Sequence, residues 1–348
     1  MLSFCSLTMR SSSAVISAKY FSSMPTILPL GLLNVSIDKV FSSIYHIMNF
    51  NQDFIMIVSR SKRNMISGYL LLSPSLVVLT LIVLFPLLYV FFLSFSGFYY
   101  GQRIGFVGLK NYIRILTDPN FYSALKVTAM FTVGSVVGQL LLALTFALTI
   151  HNAGRGESVI RLVAILPYMV SMVAGGVIFR WILNTEFGLV NYLLHSLGII
   201  RQPINFLGSP GYAMASIVGA HLWSSTPFAT LILLAGLKSI STDIYESAEI
   251  DGARFFVRFT RITLPIMRPQ IFVVLLIQTM FSFRHFPLPY AMTGGGPGVS
   301  TKVLAMLLQE KMTFLAFGYN SALSVIMMLI TLIIGVVYFR LMTLRGQS

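Results

Sequence analysis

Six apolar runs dominate the sequence, at 69–95, 127–150, 162–183, 212–237, 271–292 and 319–342. Each reaches the about 20 residues that a helix needs to cross the hydrocarbon core of a bilayer. Lipid offers no hydrogen bonds, so a spanning chain must pair its backbone groups internally, as helices or as a closed barrel. These runs are long and lack strict alternation, which selects helices. The expected fold class is an all-α integral membrane protein with about six transmembrane helices. Composition agrees: hydrophobic residues make up 56% and charged residues only 10%, against about 25% charged in a soluble domain, and mean hydropathy is +0.83. Pro74, Pro86, Pro167, Pro227 and Pro287 and the glycines at 134, 138, 175 and 176 fall inside the runs. Membrane helices tolerate them, because neighbouring helices re-satisfy freed backbone groups and small residues permit close approach.

The net charge of +14 raises nucleic acid as a partner. No basic stripe interleaved with polar or aromatic contacts lies outside the apolar runs, so that class is set aside. Excess Lys and Arg instead reports topology. Arg60, Lys62 and Arg63 precede the first run, Arg155 and Arg161 follow the second, Lys238, Arg254, Arg258, Arg261 and Arg268 follow the fourth, and Arg340 and Arg345 follow the sixth. These positions share one side. The bias over the other side is modest, and it puts both termini and the segment 238–268 in the cytoplasm. Cys5 is the only cysteine, which leaves no disulfide within the chain and no thiolate cluster. The five histidines are scattered along the sequence, so no histidine metal site is expected. Residues 1–64 are Ser-rich with apolar patches too short to span. They read as a mobile or interfacial extension, as a transit peptide, or as the product of a start assigned too early, with Met56 or Met65 as the true start.

The segment 238–268 concentrates the charge that the runs exclude. "YESAEIDGARFFVRFTRITLP", at 245–265, reads as two short helices joined at a glycine. Asp243 is the expected cap of the first, with Glu246 at the capping-box position. Gly252 is expected to end that helix in a left-handed conformation. A second helix is expected over about 253–263, with Arg254, Arg258 and Arg261 on one face, closed by Pro265 and Pro269. Such a unit suits docking to a soluble protein. The plainer reading is a solvated loop charged only for topology.

Glu246-Ser247-Ala248, Gly252, Ile262, Leu264 and Pro265 together resemble the EAA loop of permease subunits of bacterial binding-protein-dependent ABC transporters. Ser247 departs from the family's usual Ala. "LKNYIRILTDPNFYSALKVT" (109–128), "HLWSSTPFATLILLAGLKSI" (221–240) and "YAMTGGGPGVSTKVLAMLLQEKMTFLAFGYNSALSVI" (290–326) resemble the carbohydrate-uptake branch, in the subunit similar to the larger maltose permease component. The resemblance covers roughly 66–343. It implies a type I importer permease domain over 65–348 with a cytoplasmic coupling helix, where Glu246, Ser247, Ala248, Asp251, Gly252, Arg254, Arg258, Ile262, Leu264 and Pro265 meet a separate ATPase dimer. It implies three further partners: a second permease subunit, an extracytoplasmic solute-binding protein and a sugar substrate. No cofactor is implied. ATP hydrolysis is expected elsewhere, since no G-x-x-x-x-G-K-[ST] occurs. The run Gly294-Gly295-Gly296-Pro297-Gly298 reads as a tight extracytoplasmic turn after the fifth span.

Polar groups inside spans are costly and therefore informative. Gln278, Ser282 and His285 share a helical face of the fifth run, and His221, Ser224 and Ser225 lie in the fourth beside Phe228. The resemblance implies that Ser225, Phe228, Gln278, Ser282 and His285 line a sugar site. The alternative is that these groups only bond neighbouring helices. Arg284 ends the fifth run, where it either reaches headgroups or a partner carboxylate, or favours an anionic saccharide. A stand-alone secondary transporter or channel is the rival class. It would need intramembrane acidic groups, and Asp118, Glu157, Glu186 and Glu310 all fall at run ends or in connections. A membrane-bound enzyme is disfavoured, because no nucleophile–base–acid set is evident.

Overall fold

The computed structural model describes residues 62–345. The expected N-terminal extension lies outside them, except for its last three residues. The chain divides into two compact units, 1–80 and 81–348. The described part of the first is mainly the helix α1, Lys62–Leu79, whose side chains from Leu71 onward are exposed. This is the pattern of a helix solvated by lipid.

A π-helical stretch, Thr80–Leu84, leads into the second unit and its α2, Phe85–Ser94, with Pro86 in its first turn. A membrane helix tolerates a proline there. A β-hairpin follows, β1 Ser96–Tyr99 against β2 Gln102–Phe106. Its two-residue turn holds Tyr100 and Gly101 both at positive φ, 45° and 82°, the primed geometry that matches strand twist. This hairpin corrects the all-α expectation locally. The remaining elements are helices: α3 Lys110–Leu116, α4 Pro119–His151, α5 Glu157–Met169, α6 Met172–Ile182, α7 Leu189–Ser196, α8 Pro210–Lys238, α9 Thr242–Ile250, α10 Phe255–Arg258, α11 Leu264–Ile266, α12 Arg268–Phe283, α13 Pro287–Thr293, α14 Leu304–Thr313 and α15 Phe317–Arg345.

Among the described residues four helices are long and apolar enough to cross a membrane, Leu71–Ser94, Pro119–His151, Pro210–Lys238 and Phe317–Met342. Two further candidates are bent pairs, Glu157–Met169 with Met172–Ile182 at 94° and Phe255–Ile266 with Arg268–Phe283 at 69°. The run expected at 162–183 is thus bent, and the run expected at 271–292 ends as a regular helix at Phe283. In the first, Val170 and Ser171 are extended at ψ 131° and 132°. That turn carries Gly176 onto α13, where a Cβ would stand 2.6 Å from Ala291 Cβ. In the second, the helix stops at Phe283 because Pro287 disfavours helical geometry at Phe286, whose φ is −125°. The glycine-rich turn therefore follows a separate short helix, α13, rather than the span itself.

The core is built on α4 and α8, packed along their lengths, with α12 laid across both. Along α4 the buried positions Phe121, Ala124, Val127, Phe131, Ser135, Gln139, Ala143, Ala147 and Ile150 recur at three and four residues, the stripe a helix presents to neighbours. Ala143, Ala147 and Ile150 meet Leu233 and Leu237 of α8 and Val274 of α12. At the other end Ile115, Phe121, Phe283, Leu304 and Leu323 form a second cluster. Asp118 ties this end together. It caps α4 through Asn120 N at 2.9 Å and accepts from Tyr319 Oη at 3.1 Å. Partial burial pushes its carboxyl up, but the bonds from Asn120 and Tyr319 and the charge of Lys311 prevail and hold it below the usual carboxylate value.

Candidate functional site

The charged segment folds as a helix–turn–helix. Ser241, not Asp243, caps α9: its Oγ accepts from Asp243 N at 3.3 Å. The capping-box expectation placed the cap two residues late. At the C-terminal end Gly252 stands at φ 73°. Gly252 N donates to Glu249 O and Ala253 N to Ala248 O, at 3.0 and 2.9 Å, the paired closure that a left-handed residue makes possible. The second helix is not the regular one expected over 253–263. Arg254 is its N-cap, α10 lasts one turn, and a π-helical stretch, Phe259–Thr263, leads into α11. Pro265 therefore lies inside a helical run rather than ending one. The wide turn breaks the common face expected for the three arginines: Arg258 is held by Glu249 at 3.0 Å, whereas Arg254 and Arg261 are exposed. Tyr245 Oη meets Thr263 Oγ1 at 3.0 Å and locks the two helices.

The tip of this unit is apolar as well as charged. Ile250 is 88% exposed and Phe256 72%, with Phe255 beside them. Glu246, Ser247, Asp251 and Arg254 surround them, all exposed, while Ala248 is buried and Ile262, Leu264 and Pro265 are half-buried. Exposed aromatic groups next to charged ones in the sequence are a composition that partner-binding surfaces share.

A second site lies among α5, α6, α8 and α12. A cavity of about 380 Å³ is lined by Tyr168, Met172, His221, Ser225, Phe228, Gln278, Phe281, Arg284, His285 and Pro287. Of the five residues named from sequence, Ser225, Phe228, Gln278 and His285 line it. Ser282 does not: it stands behind His221 and meets Nε2 at 3.2 Å. Ser225 Oγ lies 3.2 Å from His221 Nδ1 on the other side, so two hydroxyls fix that imidazole. The His221 and His285 rings are 4.4 Å apart, which corrects the expectation of scattered histidines. No group of three or more metal-ligating side chains forms among the described residues. Phe131 stacks on His285 at 5.6 Å. On the opposite side Tyr168 and Phe228 stack at 5.7 Å with an interplanar angle of 18°. Gln278 Nε2 and His285 Nε2 are buried without a partner among the described residues.

Chemically the cavity offers aromatic surface together with hydrogen-bonding groups and one guanidinium. That pairing suits a ring with one apolar face and polar substituents at its edge. Sequence inspection singled out His221 as an intramembrane polar group without assigning it to the wall, and it missed Tyr168. His221 is one turn before Ser225 on α8, a usable signal. Tyr168 reaches the cavity only through the bend at Val170, which no local pattern announces.

Residues 139–347 match the family model described as binding-protein-dependent transport system inner membrane component. The trehalose/maltose transport system permease protein MalF of Thermococcus litoralis is 36% identical over 274 residues, 78% of this chain and 92% of that protein. The sulfoquinovosyl glycerol transport system permease protein SmoG of Agrobacterium fabrum is 37% identical over 276 residues, 78% and 89%. A crystal structure of a bacterial alginate ABC transporter, in complex with an alginate pentasaccharide-bound periplasmic protein, is similar in fold. Its TM-score is 0.69 at 21% identity, over 80% of this chain and 93% of that one.

Proposed function

This chain belongs to the inner-membrane components of binding-protein-dependent transport systems, in the sugar-permease branch, and on that premise we propose that it forms one half of the path of an ATP-driven importer of a saccharide or sugar derivative. A second permease subunit supplies the other half. A solute-binding protein delivers the substrate from outside, and a separate ATPase dimer receives the charged unit at 242–266. Both termini and that unit face the cytoplasm. The observation that carries the reading is the cavity of about 380 Å³, in which the Tyr168–Phe228 stack faces Ser225, Gln278, His221 and His285.

A secondary transporter is less well supported by the placement of the acids. Asp118 caps a helix, Glu157 pairs with Lys238 and Arg161, and Glu310 pairs with Lys302. Each is committed to a structural role rather than free to relay an ion.

The test is sugar-stimulated ATP hydrolysis by the assembled transporter in lipid vesicles. Phe228→Ala should lower the stimulation about tenfold, the effect of losing an aromatic contact of about 0.5–1.5 kcal/mol together with its buried area. Basal hydrolysis should be retained. An unchanged stimulation would remove the cavity from the transport path.

A further inference from the structure

The cavity carries charge on one side only. Arg284 stands at its rim, exposed, as the C-cap of α12. Its Nε donates to Met280 O at 3.3 Å, a weak bond within its own helix. No ion pair forms with it among the described residues, whereas Lys238, Arg161, Arg258 and Lys302 each hold a carboxylate. Arg103, Arg114 and Lys311 lie over aromatic rings. No acidic residue lines the cavity. Its wall adds buried polar nitrogens without a partner among the described residues: Gln278 Nε2, in a residue 3% exposed, and His285 Nε2, in a residue 5% exposed. On its far side Arg284 borders a second cavity of about 570 Å³ lined mainly by Met280, Leu308, Met327, Met328 and Leu332, which offers it only Ser324 and Thr331.

A guanidinium near a low-dielectric site is costly without a partner. Its planar fork matches a carboxylate, phosphate or sulfonate. We propose that Arg284 is the specificity-determining residue for an anionic group on the transported sugar derivative. The sugar ring lies on Tyr168 and Phe228, Gln278 and His285 donate to its oxygens, and the anion meets Arg284 at the rim. This rests on the cavity being the sugar site.

The experiment is uptake by the fully assembled transporter in vesicles of phosphatidylcholine alone and of phosphatidylcholine with phosphatidylglycerol. The probes are radiolabelled glucose, glucuronate and glucose 6-phosphate, and disaccharides bearing the same three groups. The expected result is about a tenfold preference for the acidic member of a matched set, the size of one charge-assisted hydrogen bond. Arg284→Gln should lower acidic uptake about tenfold relative to neutral uptake and so abolish the preference, and Arg284→Lys should restore part of it. A wild-type preference for neutral members, or equal loss of both classes in Arg284→Gln, overturns the assignment and leaves the sugar reading intact. An effect of the substitution confined to vesicles containing phosphatidylglycerol assigns Arg284 to a lipid headgroup and overturns it too. Absence of any saccharide uptake, with ATP hydrolysis still stimulated by the solute-binding protein, sinks the sugar reading and this inference with it.

Discussion

Gly252 is constrained by its backbone alone. Its φ is 73°, and nothing lies within 4 Å of the position a Cβ would take. The cost of a side chain there is conformational, about 1–2 kcal/mol for an ordinary L-residue and less for Asn. Gly252→Asn should therefore keep most uptake by the assembled transporter, and Gly252→Val should lose it while still inserting in the membrane. Equal uptake by both variants would show that the turn is not what the ATPase reads. The need for a left-handed residue was legible in the sequence, because a glycine closed an amphipathic segment rich in helix formers. The true cap was not, since Ser241 and Asp243 are both good caps and only the position of the preceding turn decides between them. The histidine pair was illegible for a different reason: His221 and His285 are on different helices, and only the crossing of α8 and α12 brings their rings together.

Helix α4 carries a second kind of evidence in the same apolar stripe. Gln139 is fully buried, and neither atom of its amide has a partner among the described residues; Thr132 and Ser135, two turns and one turn before it, also leave their hydroxyls unpaired. A buried polar group left unpaired costs about 1–3 kcal/mol. Gln139→Leu conserves volume and removes that cost, so it should raise the thermal midpoint of the purified protein. It should also slow uptake, because a helix seam that must repack during transport loses a group able to bond in the alternative arrangement. A lowered midpoint would mean that the amide is already satisfied by a partner subunit. The spans themselves were legible from apolar length, and four of the six match straight helices to within a few residues, apart from the eight-residue N-terminal extension of α4. The two bends were not. Pro265, Pro269 and the residues around Val170 were visible, but a membrane helix tolerates proline and glycine as often as it breaks at them. The hairpin at 96–106 went unread, because its Tyr100-Gly101 turn hides inside a run of aromatics.

The fold sorts the basic residues by end. Glu157 joins Lys238 and Arg161 at one end of α5 and α8. A cavity there is lined by His151 at the close of α4, by Tyr245 of α9 and by Arg258. The bonds Tyr319 to Asp118 and Leu304 N to Thr128 Oγ1 fix the start of α15 at the opposite end of α4. Helix α15 has 29 residues, about 44 Å at 1.5 Å per residue, enough to return Arg340 toward the end that holds Lys238. Arg161, Lys238, Arg254, Arg258, Arg261 and Arg340 thus gather at one end, and Lys302 and Lys311 belong to the other. Lys and Arg near the ends of spans favour the cytoplasmic side. The expected orientation puts 242–266 inside and the glycine-rich turn outside. Cysteines introduced at Phe255 and Val299, both exposed, report it directly. In intact cells a membrane-impermeant maleimide should label Val299→Cys and spare Phe255→Cys, and in inverted vesicles the pattern should reverse. Labelling of Phe255→Cys from outside would invert the topology and place the charged unit where no cytoplasmic ATPase could reach it.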